Sequence, residues 1–100
     1  MAARSEEERQ AIGREQRQIL ADAARLADRA SDDPEVRQAV ARMHRFINQR
    51  FYDCSDEMFR RLGDLAVDDP RFTATYEAMR PGFAVFWRDA VHAYCDAGRR

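Results

Sequence analysis

Apolar side chains recur along this chain with the period of an α-helix, and each run begins at a recognisable start signal. Ile12, Gln16, Ile19, Leu20, Ala23, Leu26 and Ala27 fall on one face, with charged residues between them on the other. Ser5-Glu6-Glu7-Glu8 ahead of them has the Ser-x-x-Glu form of a capping box, which predicts a helix from about residue 5 to about residue 30. Asp33-Pro34-Glu35 is a second start: an N-cap, a proline at the first helical position and an acid at the positive end of the dipole. Val36, Val40, Met43 and Ile47 form the stripe that follows it. Ser55 caps a third segment whose inward residues are expected to be Met58, Leu62, Leu65 and Ala66. Asp69-Pro70 opens a short fourth helix to about Met79, and Pro81 opens a fifth that ends near Gly98. No alternating apolar run bounded by turn residues suggests a strand. The expected fold is therefore all-α, a bundle of five helices.

Composition bounds what such a bundle can do. With 100 residues and 45% apolar side chains, the chain can bury a core without disulfides or metal, and a single domain over residues 1–100 is expected, with an N-terminal helix at about 5–30 and an aromatic half at about 34–98. The formal net charge of −1 and the absence of a clustered basic face argue against a nucleic-acid partner. All 17 basic residues are arginine, spread over solvated faces as a GC-rich coding bias would place them rather than gathered for anion recognition. Neither a signal peptide nor a membrane span is evident, so a cytoplasmic location is expected and no membrane partner. The oligomeric state is not legible.

Candidate chemistry is sparse. Cys54 and Cys95 are too few for a disulfide framework, and with His44 and His92 they are the only soft metal ligands. Only His92 and Cys95 share a helical face, so no metal site and no cofactor is expected. Asp64, Asp68 and Asp69 read as a solvated helix end with a cap rather than as acid–base machinery, and the four glycines are too scattered to cradle a phosphate. No catalytic residue is assigned. The aromatic residues are different: all ten lie in the last 55 positions. On a helix, Phe83, Trp87 and Tyr94 share one side and Phe86 is displaced from it, a face wider than one packing stripe requires. Some of these rings are expected to line a cleft, where stacking and burial supply affinity and polar tips fix orientation.

The string from His44 to Leu65, HRFINQRFYDCSDEMFRRLGDL, followed by DDPRFTATY from Asp68 and RPGFAVFWRDAVHAY from Arg80, resembles the TipAS antibiotic-recognition domain. The resemblance is carried by His44, Phe51-Tyr52, Cys54, Glu57-Met58, Leu62-Gly63, Arg71-Phe72, Pro81-Gly82 and Arg88-Asp89-Ala90 in that order, and extends more loosely upstream to about Ser5. It implies a globin-like, haem-free all-α fold. It also implies binding of peptide antibiotics such as thiopeptides or, in related duplicated domains, albicidin. Such domains usually follow the DNA-binding half of MerR-type activators; no helix-turn-helix or long coiled coil precedes this one, which suggests a free-standing drug-binding module. Two positions depart from the family. Arg61 stands where the thiopeptide-capturing cysteine is found, and Ala66 stands where relatives commonly carry tyrosine. Arginine cannot add to a dehydroalanine, so capture would fall to Cys54, and only if that thiol were exposed and its thiolate stabilised.

These readings converge on a non-enzymatic binder that sequesters a bulky, hydrophobic peptide-like or polyaromatic antibiotic by non-covalent burial, giving resistance or self-protection. The candidate ligand-binding residues are His44, Asn48, Tyr52, Phe59, Phe83, Phe86, Trp87 and Tyr94, with rings as walls and His44, Asn48 and Tyr52 as hydrogen-bonding groups. The alternative is a regulatory module whose groove accepts an amphipathic helix from a transcription regulator. A small enzyme of an antibiotic pathway has only the proximity of His, Asp and Cys to aromatic residues in its favour. The N-terminal helix has few large anchors, so its ordering is expected to couple to ligand binding.

Overall fold

A computed structural model of the chain describes residues 5–98. It contains five helices, α1 (Glu6–Ala24), α2 (Pro34–Arg50), α3 (Asp56–Asp68), α4 (Pro70–Met79) and α5 (Phe83–Ala97), and no strand among the described residues. Four starts follow the local chemistry of the sequence. The Ser5 and Ser55 hydroxyls accept from the amides of Glu8 and Met58, and the Asp33 and Asp69 carboxylates from those of Glu35 and Arg71. Asp69 also ends α3, its amide donating to Leu65 O, so one residue turns the chain between two helices.

Two boundaries differ from the sequence reading. The first helix ends at Ala24, not near residue 30; beyond it the chain continues in tight turns, with the amides of Leu26, Ala27 and Arg29 donating to carbonyls three residues back. Leu26 and Ala27 still pack on the core, which is why the apolar period outlasts the helix. A distant residue marks the end: Nη1 of Arg80 donates to the carbonyl of Ala24 at 2.9 Å, bringing positive charge to a helix terminus whose own last turn has none. The last helix begins at Phe83, two residues after Pro81. Gly82 takes a left-handed φ of 87° that breaks the chain direction, and the Glu77 carboxylate on α4 accepts from the amides of Gly82 and Ala84, both at 2.9 Å.

The core gathers Ile19, Leu20, Val36, Val40, Met43, Phe46, Phe59, Phe83, Trp87 and Val91. Fully burying each such side chain favours folding by roughly 1.5 to 3 kcal/mol. The α5 helix packs chiefly against α3, and α1 against α2. On α3 the buried face is Phe59, Gly63 and Ala66, whereas Met58 and Leu65, expected to point inward, are exposed. The helix is rotated because Gly63 lets α5 come close: an ideal Cβ on Gly63 would lie 2.8 Å from both Cβ and Cγ1 of Val91.

Candidate ligand-binding cleft

The rotation of α3 leaves Leu62 and Leu65 facing a cleft of about 130 Å³ to which every helix contributes. Phe59 and Ala66 join them from α3, Met43 and Ile47 stand one turn apart on α2, and Phe72 and Tyr76 one turn apart on α4. Trp87 comes from α5 and Gln16 from α1. Among the described residues, no Asp, Glu, Lys, Arg or His side chain lines it. Phe59, Ala66, Met43 and Trp87 are buried and form the interior, while Leu65 and Phe72, 37% and 44% exposed, form an open rim. Phe83 stacks on Tyr76 with ring centroids 5.5 Å apart, and Trp87 meets the same ring edge-on at 6.4 Å, so the aromatic wall is braced from behind. Burial pushes the Tyr76 hydroxyl up to about 12, so it keeps its proton.

Of the eight residues nominated from the sequence, Phe59 and Trp87 line this cleft. Phe83 is fully buried, and Phe86 stacks on it at 6.4 Å. The His44 ring stacks on Phe59, with centroids 4.4 Å apart and planes nearly parallel. Both of its nitrogens are engaged. Nε2 is 2.7 Å from the Cys54 carbonyl and Nδ1 is 2.8 Å from the Tyr94 hydroxyl. A carbonyl only accepts, so these partners select the tautomer with hydrogen on Nε2, and Tyr94 donates to Nδ1. Asn48 closes the same loop, its Oδ1 accepting from the Cys54 amide at 2.6 Å and its Nδ2 donating to His44 O at 3.1 Å. His44, Asn48 and Tyr94 thus form one hydrogen-bonded cluster that holds Phe59 and the α2–α3 turn. Tyr52, 44% exposed, is outside both the cluster and the cleft.

Cys54 is only 5% exposed, and burial, followed by the Asp56 carboxylate, raises its thiol pKa, which disfavours the thiolate. Arg61 is exposed on α3. His92 and Cys95 go to different partners, His92 to Asp64 at 2.6 Å and the Cys95 thiol to the Asp56 carbonyl at 3.5 Å.

Sequence reasoning named neither Met43 and Ile47 nor Phe72 and Tyr76 as site residues. Met43 and Ile47 belong to the stripe read as core, and Phe72 and Tyr76 form an i, i+4 apolar pair turned partly away from it. Gln16 had a clearer signal: it is the lone polar residue within the stripe of α1.

A helical bundle with an uncharged aromatic cleft walled by all its helices has the build of a small-molecule recognition domain. The sequence profile of the TipAS antibiotic-recognition domain matches residues 1–94, and the chain belongs to that family. It is 40% identical over 65 residues to the HTH-type transcriptional activator mta of Bacillus subtilis, covering 65% of this chain and 25% of that protein. It is 41% identical over 73 residues to the HTH-type transcriptional activator TipA of Streptomyces coelicolor, covering 73% of this chain and 25% of that protein, with the same figures for TipA of Streptomyces lividans. The matched region thus spans about a quarter of these relatives. No solved structure matches the chain significantly. Among the described residues no helix is long and apolar enough to cross a membrane.

Proposed function

We propose that this domain binds a bulky, largely apolar peptide-like or polyaromatic antibiotic by non-covalent burial, and that stoichiometric capture lowers the free drug to give resistance or self-protection. The observation that carries the reading is the uncharged cleft formed by all five helices in a member of an antibiotic-recognition family. Its volume is close to that of dry cavities that admit one benzene ring. One ring of the ligand would therefore enter between Phe59 and Trp87, and the rest would lie along Leu65 and Phe72. Buried Cys54 and the arginine at position 61 support reversible rather than covalent binding. His44, Asn48 and Tyr94 act in this reading by holding Phe59, not by touching the ligand.

The test is a titration of thiopeptides, albicidin-like and other polyaromatic antibiotics against the domain, followed by calorimetry and by the fluorescence of Trp87, the only tryptophan. Saturable one-to-one binding is expected, with the unmodified chain mass recovered after denaturation. Ala66→Tyr, which places a ring in the cleft where relatives commonly carry one, should weaken binding at least about tenfold while the protein still unfolds cooperatively. Silence across the panel would favour instead a groove that takes a helix of a regulatory protein, and a persistent adduct would overturn non-covalent capture.

A further inference from the structure

The ion pairs of α1 with Arg42 and Arg50 run to α2, so what holds α1 to the other side of the bundle is a separate matter. Near its end, Ala21 and Ala24 line a surface hollow together with Met79 and Arg80. Alanine methyl groups bury little area there, and their grip is correspondingly weak. Arg80 spans the hollow. Its Nη1 donates to the carbonyls of Ala24 at 2.9 Å and Arg25 at 3.4 Å, with the Asp28 carboxylate 4.0 Å away. The backbone of Arg80 is itself fixed, because its amide donates to Tyr76 O at the end of α4 and the Glu77 carboxylate holds the turn that follows. One side chain therefore joins the end of α1 to the junction of α4 and α5. The same helices line the cleft, Gln16 from α1 and Phe72 and Tyr76 from α4, so their separation is part of its shape.

We propose that Arg80 is a positioning residue of the cleft: its guanidinium latches the end of α1 to the α4–α5 junction and so slows the escape of a bound ligand. The inference rests on the reading above that the cleft takes a ligand. A cation at a helix C-terminus also steadies that helix by itself, and the last turn of α1 has no basic residue of its own. The origin of the cation makes the difference. A basic side chain within α1 would cap the helix and leave it free to swing, whereas Arg80 stands 56 residues further along the chain and caps it by tying it down. Gln16 precedes Ala24 by about 12 Å of helix, so a small rotation at the latched end is carried to the cleft. Opening of this kind acts on dissociation more than on association.

The experiment compares the wild type with Arg80→Ala, Arg80→Lys and the double variant Arg80→Ala, Ala21→Arg, the last of which returns a cation to the terminus of α1 from within the helix. Spin labels on cysteines introduced by Arg17→Cys and Ala74→Cys, both exposed positions, report the distance between α1 and α4 without any ligand; Cys54 and Cys95 are buried. Stopped-flow fluorescence follows release of N-phenyl-1-naphthylamine, a neutral polyaromatic probe. Arg80→Ala is expected to broaden the distance distribution and to speed release by about threefold to tenfold, with association within about twofold. Arg80→Lys should keep most of both properties, and the double variant should regain thermal stability but neither the distance nor the slow release. These two variants keep the test open where Arg80→Ala alone is unstable. An unchanged distance distribution in Arg80→Ala, or slow release restored by Ala21→Arg, would overturn the latch while leaving the cleft a binding site. Failure of the wild type to bind the probe also overturns it, and the broader reading falls with it only if the antibiotic panel is silent too.

Discussion

Gly63 and Val91 meet with no spare room, so position 63 should respond sharply to the smallest possible change. Alanine is the better helix former by about 1 kcal/mol, but its Cβ would lie 2.8 Å from Val91 Cβ and Cγ1, a distance that forces α3 and α5 apart. The steric term wins. Gly63→Ala is expected to destabilise the protein by about 1 to 3 kcal/mol in urea unfolding. Adding Val91→Ala should recover only part of that loss, because one of the two crowded atoms is the Val91 Cβ, which alanine keeps. Full recovery would mean the crowding lies in the methyl groups alone. Since α3 also carries Phe59, Leu62, Leu65 and Ala66 into the cleft, Gly63→Ala should weaken ligand binding through displaced walls. Gly63 also marks where the sequence was hardest to read. Counting apolar residues put Met58 and Leu65 inside with Ala66, whereas the buried line runs from Phe59 to Ala66 through a glycine that such a count passes over.

At the level of elements, α5 starts with a borrowed cap. Gly82 has no side chain to offer, and the Glu77 carboxylate on the preceding helix serves instead. Those two amides hold the Glu77 carboxyl below its ordinary pKa of 4.5, the Ala84 amide having the larger effect. A carboxyl with a lowered folded-state pKa contributes stability that is fully present above its unfolded value and is lost as pH falls through the folded one. The melting temperature of the wild type should therefore fall between about pH 5 and about pH 3, and Glu77→Gln should start lower near neutrality and fall less over that range. Identical slopes would show that other carboxylates, Asp69 among them, account for the acid sensitivity. Helix starts were legible from sequence wherever the cap is local, as at Ser5, Asp33, Ser55 and Asp69. The start of α5 and the end of α1 were not, because their caps, Glu77 and Arg80, come from other elements. The cleft was half legible for a related reason: Phe59 and Trp87 stood out as members of the aromatic surplus, while Ile47, Phe72 and Tyr76 gain meaning only once helices are placed side by side.

For the whole molecule, the first half of α1 carries no buried residue. The buried residues of the helix, Ile19, Leu20, Ala23 and Ala24, all lie in its second half, and Gln16 is its point of contact with the cleft. Amide hydrogen exchange without ligand should show protection concentrated from about Ile19 onward. A bound ligand should extend it toward Ile12, since filling the cleft adds a partner for the helix. Equal protection with and without ligand would mean a preformed cleft.

The ion pairs that join α1 to α2, Arg42 with Asp22 at 2.8 Å and Arg50 with Glu15 at 3.2 Å, both lie at the surface. Counter-ions compete for such pairs, and the screening length shrinks from about 14 Å at 0.05 M to about 4 Å at 0.5 M salt. Concentrated salt should therefore loosen the first helix selectively while strengthening the apolar attraction that holds α3 against α5. A domain kept in brine would keep its aromatic half and slacken at one side of its cleft, so that ligand escape quickens with ionic strength even though no charge touches the ligand.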